Sequence, residues 1–374
     1  MTSLQRTNPP FRADHVGSLL RPKNLLKARE DHGAGSISLE ELRAIEDDAI
    51  RDVVRMQEDI GLQTATDGEF RRTSWHMDFI YQLTGVSKTA EKIEVHFRNA
   101  DGNLDFTSAA LKIDGKVDID DPIFGQDFAF LQSVVSSGTP KLTIPSPSMV
   151  HYRGGAAAID KAVYPDEDEF WTDLSAAYRK QVQAMAALGC TYLQLDDTSL
   201  AYLNDPAQRE MLAAQGRDAE HQHERYIRQI NAAISDRPAS LNVTTHMCRG
   251  NYRSSWAAEG GYDFVAEALF GQLDVDGFFL EYDDSRSGDF APLRFVPAGK
   301  QVVLGLVTTK RPQLESKDDL KRRIDEAAAY VPLEQLCLSP QCGFSSTVEG
   351  NVLSRDEQIA KLNLIVEVAQ EVWG

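Results

Sequence analysis

The chain predicts an α/β fold, a single (β/α)8 TIM barrel with a β-hairpin insertion after the second strand. Three observations carry this reading. Eight short apolar runs rich in β-branched residues recur along the sequence, amphipathic segments separate them, and polar chemistry gathers where the runs end. Parallel strands need right-handed helical crossovers, and eight such units can close on themselves. No G-x-G-x-x-G follows the first run, so a doubly wound dinucleotide-binding sheet loses its strongest sign.

Taken in order, the runs are "FRADHVGS" from Phe11, "LQTATDGEF" from Leu62, "PKLTIPSPS" from Pro140 and "CTYLQLDDT" from Cys190. Then follow "ASLNVTTHMC" from Ala239, "VDGFFLEYD" from Val275, "KQVVLGLVT" from Lys300 and "LEQLCLSPQC" from Leu333. The helices between them carry start signals of their own. Ser38 with Glu41, and Ser354 with Glu357, have the spacing of capping boxes. Phe170, Leu174, Tyr178, Val182 and Met185 trace one apolar face that should stop at Gly189, and Ile359, Leu362, Ile365, Val366 and Val372 trace another. One stretch, 86–122, breaks the pattern. It alternates polar and apolar residues around two turn signals, Asp101-Gly102-Asn103 and Asp114-Gly115, and reads as a β excursion that is either decorative or a lid. Residues 1–374 are otherwise expected to form one domain.

Composition removes several classes of function. With 39 basic against 57 acidic residues the formal charge is -18, which repels phosphate backbones and anionic membranes, so nucleic-acid and membrane partners are not expected. No run approaches the roughly 20 apolar residues that span a bilayer, and the N-terminus lacks a signal-peptide core, which makes cytoplasmic the expected location. Four cysteines are too few for a disulfide framework, so a thiol is better used on a metal or in catalysis.

A barrel puts its functional residues at the C-terminal ends of its strands. Those ends read Ser18, Asp67 and Glu69, Ser146, Asp196 and Asp197, His246 and Cys248, Glu281, Lys310 and Cys342. His246 and Cys248 stand two apart on one strand and share a face, as either a packed pair or two ligands of one metal. Glu281 and Cys342 end the sixth and eighth runs, and two thiolates, an imidazole and a carboxylate form a tetrahedral zinc set. Cys190 and Cys337 lie nearer strand starts or middles and are expected in the core, with Cys337 the first rival ligand if the register slips.

The segments "HMC", "FLEYD" and "LSPQCGF", with "HVGSLLRP", "TDGEFRR", "YLQLDDTSL" and "VLGLVTTKRP", resemble the catalytic domain of cobalamin-independent methionine synthase, in its short single-barrel form. The resemblance implies zinc on His246, Cys248, Glu281 and Cys342, with homocysteine thiol as a further ligand and Ser18, Glu69 and Asp196 gripping its amino-acid end. Sulfur attacks methyl only as thiolate, which zinc stabilises by Lewis acidity. Glu69 and Asp196 suit an α-ammonium group, or else pair with Arg71, Arg72 or Arg12. The resemblance leaves a homodimer open.

Two departures bear on the methyl donor, folate or a methylated corrinoid protein. Lys310 stands where the long enzymes carry a proton-supplying histidine, and Pro147 falls where they stack a tryptophan on folate. Lys310 remains a candidate acid or the partner of an anionic donor, with His15 and His76 as spare proton donors, and Arg249 and Asn251 as tethers of the metal loop or of a substrate anion. Two other readings stay open. One resembles the epoxyalkane:coenzyme M transferases, in which Lys310 or an arginine would hold a sulfonate; the other resembles uroporphyrinogen decarboxylase, which uses arginines and no metal.

Overall fold

The computed structural model describes residues 5–99, 102–152 and 154–374. Among the described residues ten strands appear in chain order: β1 (Thr64–Ala65), β2 (Thr84–Asn99), β3 (Gly102–Asp118), β4 (Thr139–Pro140), β5 (Leu142–Pro145), β6 (Tyr192–Asp197), β7 (Asn242–Met247), β8 (Gly277–Glu281), β9 (Gln301–Val307) and β10 (Leu336–Pro340). Six of them form one parallel sheet in the order β10-β9-β8-β7-β6-β5. β1 pairs in parallel with β4, and Lys141 N–H donates to Ala65 C=O at 2.9 Å, which carries β1 along the flank of β5. The first run contributes a single parallel bridge, Ala13 to Leu338 of β10, closed by Asp14 N–H to Leu338 C=O at 3.0 Å and Leu338 N–H to Arg12 C=O at 2.8 Å. Between the first run and the second, Thr66 Oγ1 donates to Gly17 C=O at 2.6 Å and Leu19 N–H to Gly68 C=O at 3.1 Å.

Helices cover the sheet with the faces the sequence marks. Ser38 and Ser354 each close a capping box on the glutamate three residues on, at the starts of Leu39–Ile60 and Arg355–Trp373. The helix Glu167–Ala187 buries Phe170, Leu174, Tyr178, Val182 and Met185, and the chain turns out of it at Gly189 with φ 90°. Each such side chain contributes about 1.5–3 kcal/mol of burial. Inside the sheet a smaller apolar set, Val16, Phe279, Val303 and Cys337, packs in a layer of its own. Cys190 and Cys337 are both buried in apolar surroundings, as expected of core cysteines. No helix among the described residues is long and apolar enough to cross a membrane.

The stretch around 86–122 forms an antiparallel pair, β2 with β3, running from Thr84 to Asp118. Residues 100–101, among them Asp101 of the first turn signal, lie outside the described residues. The second signal makes no turn. Asp114 and Gly115 sit within β3 where Val86 pairs with Ile113 but Thr84 pairs with Asp118, so the extra residues bulge. A Cβ on Gly115 would come within 2.9 Å of Gly85 Cα, which is why a side chain is excluded there. The pair packs back onto the molecule through Val95, Phe97, Ala110, Ile113 and Val117, all buried.

Candidate metal centre

Register brings the donors together. β6 and β7 align Asp196 with His246, and β7 and β8 align His246 with Phe279, so three neighbouring strands end at one level. Alternation along β7 turns His246 and, just past it, Cys248 to the same side. Cys248 N–H is fixed by Asp197 C=O at 2.8 Å. Glu281 closes β8, and Cys342 follows β10 after a register shift at Ser339 and Pro340. One ligand atom from each of His246, Cys248, Glu281 and Cys342 lies within 4.8 Å of the others, and all four residues are buried.

The residues fit a metal. Zinc bonds of about 2.0–2.3 Å in a tetrahedron set ligand atoms roughly 3.3–3.8 Å apart, and the two sulfurs stand 3.5 Å apart. Neither ring nitrogen of the buried His246 makes a well-formed hydrogen bond within the protein, a state native histidines avoid unless something else occupies them. Hydrogen bonding to Cys248 favours the thiolate of Cys342 and holds its pKa well below the usual thiol range, while the same contact pushes the Cys248 thiol up. Burial lowers the pKa of His246, but Cys342, Asp196 and Glu281 outweigh it and raise the ring above its ordinary value. Two thiolates and a carboxylate that repel one another as anions, beside an imidazole lone pair, gain most from a shared cation.

Glu281 is held from behind. Its Oε1 accepts from Arg249 N–H at 3.0 Å, and its backbone N–H donates to Tyr262 Oη at 2.8 Å. Lys310 Nζ stands 3.9 Å from Glu281 Oε2 and 3.7 Å from Asp283 Oδ2. Burial disfavours charge on Lys310, yet Asp283 and Glu281 raise its pKa above the normal lysine value. The lysine thus serves the two carboxylates rather than open space. Arg249 also donates to the backbone oxygens of Glu281 and Gly260, and Asn251 Nδ2 to Gly343 C=O, so both tether the metal loop.

The donor set opens into a cavity of about 320 Å³ whose lining includes His246, Cys248, Cys342, Ser18, Glu69 and Asp196. The three residues expected to hold an amino acid thus share a space with three of the four metal donors. Glu69 has φ 61°, a left-handed conformation that costs a non-glycine residue of order 1 kcal/mol. Arg21, donating to Glu69 C=O at 2.8 Å, and Asp67, accepting from Glu69 N–H at 2.8 Å, hold it there. Glu69 Oε1 accepts from Thr143 Oγ1 at 2.7 Å and stands 3.5 Å from Arg72, while Oε2 is buried without a partner. Burial, opposed by Arg72, raises its pKa. Burial likewise lifts Asp196 to about 7. Arg71 is engaged elsewhere, with Asp47 and Asp127, and Arg12 donates to the C=O of Leu336.

Two expected proton donors lie off this cavity. Neither Lys310 nor His15 is part of its lining, whereas His76 is. His15 is buried beside Lys141, and burial lowers its pKa to about 4. Sequence reasoning passed over Asp283, Tyr262 and Thr143, which orient the site from the side. Only Asp283, two residues past Glu281 in "FLEYD", offered a signal.

The family described as the cobalamin-independent synthase catalytic domain matches residues 148–371. An uncharacterized protein of Bacillus subtilis, YxjG, is 48% identical over 99% of this chain and 97% of its own length. A methionine synthase of Pyrococcus abyssi is 25% identical over 88% of this chain and 84% of its own. Among solved structures, the putative vitamin-B12 independent methionine synthase from Listeria monocytogenes is 41% identical with a TM-score of 0.79, covering 99% of this chain and 100% of that one.

Proposed function

The chain belongs to the cobalamin-independent methionine synthase catalytic-domain family, and from that premise we propose that it is a zinc-dependent methyltransferase that moves a methyl group to homocysteine to give methionine. One observation carries the proposal: buried His246, Cys248, Glu281 and Cys342 converge within 4.8 Å, and the cavity beside them also presents Ser18, Glu69 and Asp196. His246, Cys248, Glu281 and Cys342 would hold the zinc, whose Lewis acidity keeps a thiol substrate as thiolate at neutral pH. In the same reading the parallel strands and the Ala13 bridge close as one (β/α)8 barrel over residues 1–374, with 86–122 inserted after the second strand.

The protein's own groups divide the remaining work. Glu69, with its free Oε2, and Asp196 recognise the α-ammonium, because two buried carboxyls lifted toward neutrality are stabilised as a pair only by a cation. Ser18 lies among the same lining residues and supplies a hydroxyl for the carboxylate end. Lys310 balances Glu281 and Asp283, and so fixes the charge and aim of one ligand from outside the cavity. That placement speaks against the epoxide-opening reading, in which Lys310 would meet a sulfonate. A decarboxylase of acidic side chains calls for arginines, and none lines the cavity among the described residues.

Zinc-edge X-ray absorption with and without homocysteine tests the assignment. We expect two protein sulfurs in the metal shell and a third when homocysteine is added; a shell that homocysteine leaves unchanged would contradict the thiol substrate.

A further inference from the structure

Beside the metal donors the cavity has an aromatic lining. Trp75, Tyr81, Phe97, Tyr202 and Tyr252 all border it. These rings reach down to the metal wall. A Cβ built on Gly250, two residues past Cys248, would lie 2.6 Å from Tyr202 Oη and 3.0 Å from Phe97 Cε1, so only glycine, at φ 86°, lets both rings close on that turn. Phe97 and Tyr252 stand 5.5 Å apart between centroids. Backbone bonds between Arg98 and Trp256, 2.7 and 2.9 Å, staple β2 to the loop that carries Cys248. The hairpin thus contributes Phe97 to an aromatic wall that Tyr202 and Tyr252 complete, and its β2 is fixed to the metal loop.

Among the described lining residues Asp78 and Glu349 add negative charge to that of Glu69 and Asp196, with Lys88 as the lysine among them, and Lys88 Nζ lies 5.9 Å from the Tyr81 ring centroid. A polyanionic donor would meet carboxylates here and a chain of net charge -18. A cation would meet carboxylates and aromatic rings, a ring face being worth about 0.5–2 kcal/mol to it.

We propose that the methyl donor is a small methylsulfonium compound held by the aromatic rings Phe97, Tyr202 and Tyr252 at the metal wall. The proposal rests on the thiol methyltransferase reading above. In the step it implies, the homocysteine thiol first loses its proton to solvent. The resulting thiolate sulfur forms a bond to the methyl carbon as that carbon's bond to the sulfonium sulfur breaks. The bonding pair stays on the departing sulfur, which leaves as a neutral thioether. No proton is needed by the leaving group, unlike a departing amine, and Lys310, set against Glu281 and Asp283, is not part of the cavity lining.

The test uses the zinc-loaded full chain with chain-deuterated homocysteine and S-methylmethionine labelled with 13C at its S-methyls, with 5-methyltetrahydrofolate as the rival donor. Homocysteine binding is followed separately by calorimetry, and tetramethylammonium serves as an inert competitor read by tryptophan fluorescence. We expect methionine carrying both labels, competition by tetramethylammonium, and a fall of at least tenfold in kcat/KM for the sulfonium in Phe97→Leu, with Phe97→Tyr keeping most of it. Absence of doubly labelled methionine while homocysteine still binds overturns the donor assignment and leaves the thiol reading standing. Full sulfonium activity in a folded Phe97→Leu chain overturns the role of the rings. Failure of homocysteine to bind removes the thiol reading and the donor with it.

Discussion

Two walls enclose the same cavity and are built in different ways. One wall is the ends of parallel strands, where register sets His246, Cys248 and Cys342 beside the cavity with Glu281 behind them. The other gathers Phe97 of the hairpin, Tyr202 of a short helix and Tyr252 of a loop, set by packing across long sequence separations. Register sets the metal donors through neighbouring strands, whereas the rings meet from separate segments of the chain. In the proposed function the strand ends activate the nucleophile and the rings choose the electrophile.

The largest expected effect falls on the strand-end wall. Cys342→Ala should lower zinc affinity by more than ~100-fold, beyond the 10–100-fold typical of groups that only orient a ligand, as measured by competition with a chelator. An acid signature comes next. Folded His15, pressed to about 4 by burial and by Lys141, takes up a proton later than its unfolded form near 6.5. Stability is fully present above that range and is lost as pH falls from about 6.5 toward 4, by up to ~3 kcal/mol. His15→Gln should flatten that loss in urea titrations at pH 7 and pH 4; an unchanged slope would place the acid sensitivity elsewhere.

Smaller effects separate the roles within the strand-end wall. Glu69→Gln removes a charged partner of the α-ammonium and should weaken homocysteine binding ~10–100-fold by calorimetry while zinc content holds. Lys310→Met should raise the zinc dissociation constant about tenfold without changing the ligand count; an unaltered constant would refute its hold on Glu281. Smallest of all, Phe97→Leu should leave zinc and homocysteine binding within ~2-fold. A large loss there would erase the division between the walls.

The same contrast explains what the sequence made legible. His246 and Cys248 could be read because strand alternation converts spacing two into a shared face, and Glu281 and Cys342 because run ends coincide in a parallel sheet. Capping boxes at Ser38 and Ser354 are local and survive intact. Asp114-Gly115 misled, since the residues that favour turns also suit a bulge, and only pairing with β2 decides between them. The first run reads as a strand but makes one bridge, its extended path ending at Gly17 with φ 139°. Lys310 lies three residues past the end of β9 at Val307, and its side chain answers to Asp283 and Glu281, a pairing across two strands that spacing along one run does not reveal. The aromatic wall was out of reach because Phe97 and Tyr252 lie 155 residues apart in the numbering and meet only in the fold.

We expect the four residues at the C-terminal ends of the sheet's strands to form one metal site. Zinc content per chain, measured by mass spectrometry for wild type, Cys342→Ala and Cys337→Ala, tests it most directly. About one zinc in wild type and in Cys337→Ala, with almost none in Cys342→Ala, is the result predicted. Zinc retained by Cys342→Ala, or lost from a folded Cys337→Ala, would contradict it.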